Sequence, residues 1–160
     1  MTGNDPKNLL YLEDLHVGQR FVSDAERLTE TQITSFAAEW DPQPFHLHAE
    51  AARATFFEGL AASGWHTAAI SMRLLVRGGL PIAGGIIGSG GELLWMKPVR
   101  PNDTLHVETE VLEIVPSRSK PDRGMVQVRC LTLNQDGETV QSFSPKLVVP
   151  RRSNSVPAAG

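Results

Sequence analysis

The sequence is poor in cysteine, in basic surplus and in long apolar runs, and each shortage excludes something. Cys130 is the single cysteine of 160 residues. One thiol closes no internal disulfide, and without a Cys cluster there is no zinc-finger type of site. The formal net charge is -3, which argues against a polyanion as the main partner, so no nucleic acid is expected. Nowhere does an apolar run reach the roughly 18 residues that a spanning helix needs, so no membrane partner is expected either. Met1 to Leu10 is polar, contains Pro6, and lacks the basic-then-apolar pattern of a signal peptide. What remains is ordinary: 41% hydrophobic and 21% charged residues, close to the soluble globular average. The length suits one domain with a proper core. The expectation is a soluble, cytoplasmic protein, folded except at its ends.

Local patterns divide the chain into a helical first half and a stranded second half. A short strand is expected from Arg20 to about Ser23. Thr29-Glu30-Thr31-Gln32 has the spacing of a capping box. Behind it, Ile33, Phe36, Ala37 and Trp40 fall on one helical face, predicting a helix over Glu30 to Glu39. Pro42 and Pro44 disfavour helical geometry in the residues before them, so Asp41 to His46 reads as a rigid, non-helical loop. A second helix is expected from about His48 to Phe56. From Thr67 to about Arg77, apolar residues cover most of the helical circumference, the pattern of a helix buried nearly all round. Gly78-Gly79 ends it. Four strands follow, at 86–98, 103–115, 124–133 and 139–149, separated by turn signals. Met125, Val126, Val128, Cys130 and Leu133 roughly alternate with Gln127, Arg129 and Thr132, as in a sheet with one wet face. Helices followed by long antiparallel strands indicate an α+β layout in a single domain over residues 1–150. Residues 151–160 read as a frayed, flexible tail.

The residues with chemical potential gather in two places. Asp41-Pro42-Gln43-Pro44-Phe45-His46 sets a carboxylate and an imidazole five apart on a Pro-stiffened segment. In such a loop the two can converge, and together they form a general acid–base pair working near neutral pH. The second place is Gly64, at the mouth of the apolar helix. A helix N-terminus offers unpaired N–H groups and a positive dipole end, and glycine admits a close ligand carbonyl. That combination suits an oxyanion hole. From these residues alone two plainer readings stay open: a hydrogen-bonded loop histidine, and a glycine that merely makes a turn.

Asp41-x-x-Pro44-x-His46 resembles the Asp-x-Asn-Pro-x-His hydratase motif of MaoC-like proteins. Phe57 and Ser63-Gly64-Trp65 fall where that family has an aromatic residue and a His-Gly-Met-like segment opening its central helix. Glu92 to Leu105 is similar to the family's Lys-Pro-Val strand end and Gly-Asp-Thr-Leu turn. The likeness runs from about Leu12 to Pro150. It implies a hot-dog fold, a curved antiparallel sheet wrapped around a long buried helix. It also implies a homodimer or higher homo-oligomer, acting on an acyl-CoA or acyl-carrier thioester. Asp41 and His46 would hold and activate a water that adds across the 2,3 double bond of an enoyl thioester, while the Gly64 N–H holds the thioester oxygen. Pro44, Ser63, Trp65 and His66 would meet the substrate. No cofactor is implied beyond the CoA of the substrate. Three positions depart from the pattern: Gln43 replaces Asn, His48 stands where Asp is common, and Ser63 replaces a histidine that reappears as His66.

Competing readings are a hot-dog thioesterase and a non-catalytic acyl-binding subunit. A thioesterase needs a carboxylate on or facing the central helix, and between Gly64 and Arg77 there is no Asp or Glu. Intact Asp41 and His46 argue against a dead subunit. No metal site is expected, because no second cluster completes a ligand set for Asp41, His46 and His48. His16 and His106 read as structural, Cys130 as a small core residue, and Trp95 as sheet packing. Arg73 and Arg77 lie one turn apart on the apolar helix, facing solvent or a partner subunit. Arg100, Arg118, Lys120 and Arg123 are candidates for CoA phosphates, or else solvated loop residues.

Overall fold

A computed structural model describes residues 8–153. Strands β1 (Arg20–Val22) and β2 (Glu26–Arg27) lead into α1 (Glu30–Trp40), the one-turn helices α2 (Pro44–Leu47) and α3 (Ala49–Ala52), and the central helix α4 (Gly64–Leu74). Four long strands follow: β3 (Ile87–Trp95), β4 (Thr104–Pro116), β5 (Arg123–Leu133) and β6 (Thr139–Pro150). They form one antiparallel sheet in the order β1-β4-β5-β6-β3, with β2 added on β4. This is the hot-dog arrangement.

The capping box forms as read. Gln32 N donates to Thr29 Oγ1 at 3.2 Å, and Thr29 N donates to Gln32 Oε1 at 2.8 Å. Only Ile33 and Ala37 of α1 are buried, however; Trp40, assigned to the apolar face, is 68% exposed. The expected non-helical loop at 41–46 is half helix, because Pro44 takes the first position of α2, where its missing N–H costs nothing. The expected helix from His48 to Phe56 shortens to α3, with His48 giving no side-chain cap.

Along β4 and β5 the side chains alternate across the sheet. Leu105, Val107 and Val111 of β4 and Val126, Val128 and Cys130 of β5 face inward, meeting Ile70, Leu74 and Leu75. Thr132 takes the inward place at the end of β5 and Met125 is only half-buried, so strict period-2 geometry overrides residue apolarity there.

α4 departs from the all-round burial that its composition predicts. The sheet covers one side, where Thr67, Ile70, Ser71 and Leu74 are buried, and leaves Trp65, Ala69 and Met72 exposed. Beyond α4 the chain makes a π-helical turn, Leu75–Gly79, in which Gly78 adopts φ 131°, a conformation that favours glycine. β3 is an edge strand, exposed over most of its length. At the C-terminal end, Arg151 N donates to Asp122 O at 2.8 Å and Arg152 Nη1 to Asp14 Oδ1 at 2.7 Å. The chain is therefore tied down to Arg152, and 154–160 of the expected tail lies outside the described residues.

Candidate active site

Asp41 ends α1, its N–H bonded to Ala37 O at 2.9 Å. The turn through Pro42 and Gln43 then places His46 in the last turn of α2, 4% exposed. His46 Nε2 lies 3.3 Å from Asp41 Oδ2. On the other side of the ring, Nδ1 lies 2.6 Å from Ala61 O. A carbonyl only accepts, so Nδ1 carries the proton and Nε2 of the neutral ring presents a lone pair. With the ring neutral, Nε2 and Oδ2 are two acceptors facing each other; with the ring protonated, Nε2 donates to Oδ2. Such a pair is stabilised by a proton or by a water donating to both.

The carboxylate is held firmly. Gln43 Nε2 donates to Asp41 Oδ1 at 2.6 Å, and Ser63 Oγ donates to Oδ2 at 2.7 Å. Desolvation is the largest single influence on Asp41 and raises its pKa. The bonds from Ser63 and Gln43, with the charge of His46, outweigh it and leave the pKa below the ordinary 3.8. Asp41 is therefore an oriented anion at neutral pH.

Ser63 occupies the N-cap of α4, where a serine hydroxyl ordinarily caps the first turn. Here the hydroxyl is turned to Asp41 and makes no cap bond. The Ser63 carbonyl accepts from His66 N at 2.9 Å and Thr67 N at 3.1 Å. Gly64 N–H and Trp65 N–H are left with no acceptor among the described residues. Both residues, at the positive end of α4, line the same cleft as the dyad.

The cleft has a volume of ≈ 560 Å³ and is lined by Asp41, His46, Gly64, Trp65 and Thr67, with Phe56, Phe57 and the segment Trp95–Val99 completing the wall. Of the expected substrate contacts, Trp65 alone lines it. Pro44 serves to start α2. Ser63 is fully buried and acts on Asp41. His66 is not among the cleft's lining residues; it is stacked on Phe36 at 4.4 Å and 2°, with a buried Nδ1 that has no partner among the described residues. Burial first, and then the charge of Arg73, lowers the His66 pKa to about 4.

Several contributors carry no local signal. Phe45 meets the His46 ring edge-on at 4.6 Å, and Phe57 packs on Phe45 at 5.0 Å. Arg100, a candidate for phosphates, instead donates to Phe57 O, Gly59 O and Leu60 O and pins the segment beside the site. Three of its bonds thus go to backbone carbonyls. Arg118 and Lys120 sit in the β4–β5 turn, at the opposite end of the sheet from Trp95, and Arg123 is paired with Asp122. Arg73 is paired with Glu26. Trp95, read as sheet packing, also lines the cleft.

The MaoC like domain model matches residues 15–132. The chain belongs to the MaoC-like domain family. This MaoC-like chain is 62% identical to a MaoC-like dehydratase from Rhodospirillum rubrum, with a TM-score of 0.88 over 89% of this chain and 98% of that one. It is 30% identical to an R-hydratase from Pseudomonas aeruginosa, with a TM-score of 0.71 over 90% and 88% of the two chains. It is also 35% identical to an uncharacterized protein of Bacillus subtilis over 86% of this chain and 96% of that protein. The family and fold expected from Asp41-x-x-Pro44-x-His46 are therefore those of this MaoC-like domain.

Proposed function

We propose that this MaoC-like protein is a cytoplasmic hydratase that adds water to a 2-enoyl thioester of CoA or an acyl carrier, giving the (R)-3-hydroxyacyl thioester. The observation that carries this reading is the approach of Asp41 Oδ2 to within 3.3 Å of His46 Nε2, in a cleft also lined by Gly64 and Trp65, whose N–H groups have no acceptor among the described residues. With the ring neutral, both atoms are acceptors. A water donating one hydrogen to each acceptor has its oxygen lone pairs free for attack. The oxygen bonds to C3 as His46 Nε2 takes a proton, and the C2–C3 π electrons move toward the thioester oxygen. Gly64 N–H stabilises that enolate character; one such donor is worth about 3–4 kcal/mol of barrier where it has been removed from other enzymes. The proton then passes to C2, so one water is consumed and nothing is oxidised. The (R) outcome is supported by the similarity to an R-hydratase.

A homodimer accords with the surface. Trp65 and Met72 on α4, Val76 in the turn that follows it, and Ile87 and Leu94 on β3 are exposed apolar residues, and the outer edge of β3 is unpaired among the described residues. Such an edge invites pairing with a second copy.

The test is the absorbance of crotonyl-CoA, followed with the purified protein while free thiol is measured in parallel. Loss of enoyl absorbance without thiol is the expected outcome. Thiol release would replace this reading by the thioesterase one, and silence toward a panel of enoyl thioesters would favour a binding subunit.

A further inference from the structure

We infer that Trp95 is a specificity-determining residue that ends the acyl pocket and restricts the enzyme to short acyl groups. The inference rests on the hydratase reading above and specifies its substrate class. The indole of Trp95 lies flat against the start of α4: a Cβ on Gly64 would stand 2.5 Å from Trp95 Cε2. The side chain is held there from two sides. Trp65 meets it edge to face at 5.0 Å and 85°, and Trp95 Nε1 donates to Gln141 Oε1 at 3.2 Å. Gln141 is 1% exposed and donates in turn to Ser71 Oγ at 3.2 Å, while Ser71 is bonded to Thr132 at 2.6 Å and to Thr67 O at 2.8 Å. A buried chain of hydrogen bonds from β5 and β6 to α4 thus fixes the ring.

What the ring separates gives it a role. On one side is the cleft of Asp41 and His46. On the other, between α4 and β3, is a second groove of ≈ 500 Å³, lined by Trp65, Ala68, Met72, Leu75, Leu93 and Phe143 among others. Its polar members, Ser71 and Gln141, are engaged in the chain just described, so what it offers a ligand is hydrocarbon. Trp65 lines both spaces. Trp95 lines the cleft, and the two side chains that hold it, Trp65 and Gln141, line the groove, so the indole stands between the two spaces. With the thioester oxygen at the α4 N-terminus, an acyl group that grows beyond a few carbons meets this indole. Without it the alkyl chain has an apolar groove to enter, and apolar burial favours longer chains.

The experiment compares kcat/KM for crotonyl-CoA, 2-octenoyl-CoA and 2-dodecenoyl-CoA in the wild type, Trp95→Ala and Trp65→Ala. The wild type is expected to favour crotonyl-CoA over octenoyl-CoA by at least roughly tenfold, and Trp95→Ala to move that ratio toward octenoyl-CoA by a similar factor, the scale of discrimination a few methylenes provide. Trp65→Ala thins the same partition from the helix side while leaving the Gln141 bond in place. It carries the test should Trp95→Ala fail to fold. Equal rates on short and long substrates in the wild type, or an unmoved ratio in a folded variant, would overturn the length assignment and leave the hydratase reading standing. A wild type that hydrates none of the three would remove both.

Discussion

Ser63 Oγ donates to Asp41 Oδ2, the carboxylate oxygen that also faces His46 Nε2. A residue that begins the central helix therefore orients a residue that ends the first one, 22 positions earlier. Ser63→Ala is expected to lift the Asp41 pKa, since it removes the foremost influence holding it down. Hydration should fall, and the acidic limb of its pH profile should shift to higher pH. Ser63→Thr, which keeps the hydroxyl, should restore the profile. A limb that stays in place in Ser63→Ala would show that the bond does not govern the carboxylate.

Asp41→Asn keeps the shape of the loop but leaves one acceptor oxygen in place of two, so the bond from Gln43 at one position and those from Ser63 and the water at the other cannot all be kept. Loss of the anion removes one of the two water acceptors, so the hydration rate should fall by about 10²–10⁴, with thermal unfolding little changed. Turnover at the wild-type rate would show that the water is held elsewhere.

Gly64→Ala brings a Cβ to 2.5 Å from the Trp95 ring. Overpacking of this kind costs about 1–3 kcal/mol, and a displaced indole disturbs the α4 N-terminus, so both stability and hydration should drop. In a Trp95→Ala background the same substitution should cost far less stability. The double-mutant cycle measures the contact directly; additive losses would mean the two do not clash.

His66 titrates at about 4 in the fold, against 6.5 as a free side chain, because burial disfavours its charged form. Between those values the unfolded chain binds the extra proton, so stability falls as pH drops from about 6.5 to 4 and is fully present above. His66→Leu, retaining contact with Phe36, should flatten that decline by on the order of 2 kcal/mol. Denaturant midpoints at pH 7 and pH 4.5 in the two proteins decide it: parallel declines would assign the acid sensitivity to other groups.

Much of this protein was legible without coordinates, and the parts that were share a cause. The α1 capping box and the alternation of β5 depend on residues a few positions apart. So does the Asp41–His46 spacing, since two prolines and a short turn leave few ways to place the pair. Where local rules misread the chain, a distant partner decided. Composition alone predicted α4 buried all round, but the sheet curves over one side only and leaves Trp65 and Met72 exposed. His66 follows the expected glycine closely, yet the helical rotation sets it on Phe36 and outside the cleft's lining. Ser63 looked like a contact for substrate and is a donor to Asp41. Trp95 stands 31 positions after Gly64, and only the docking of β3 against the start of α4 brings the indole onto that glycine. Side-chain periodicity sets which face a residue occupies; which element covers that face is decided by how the whole sheet wraps the helix.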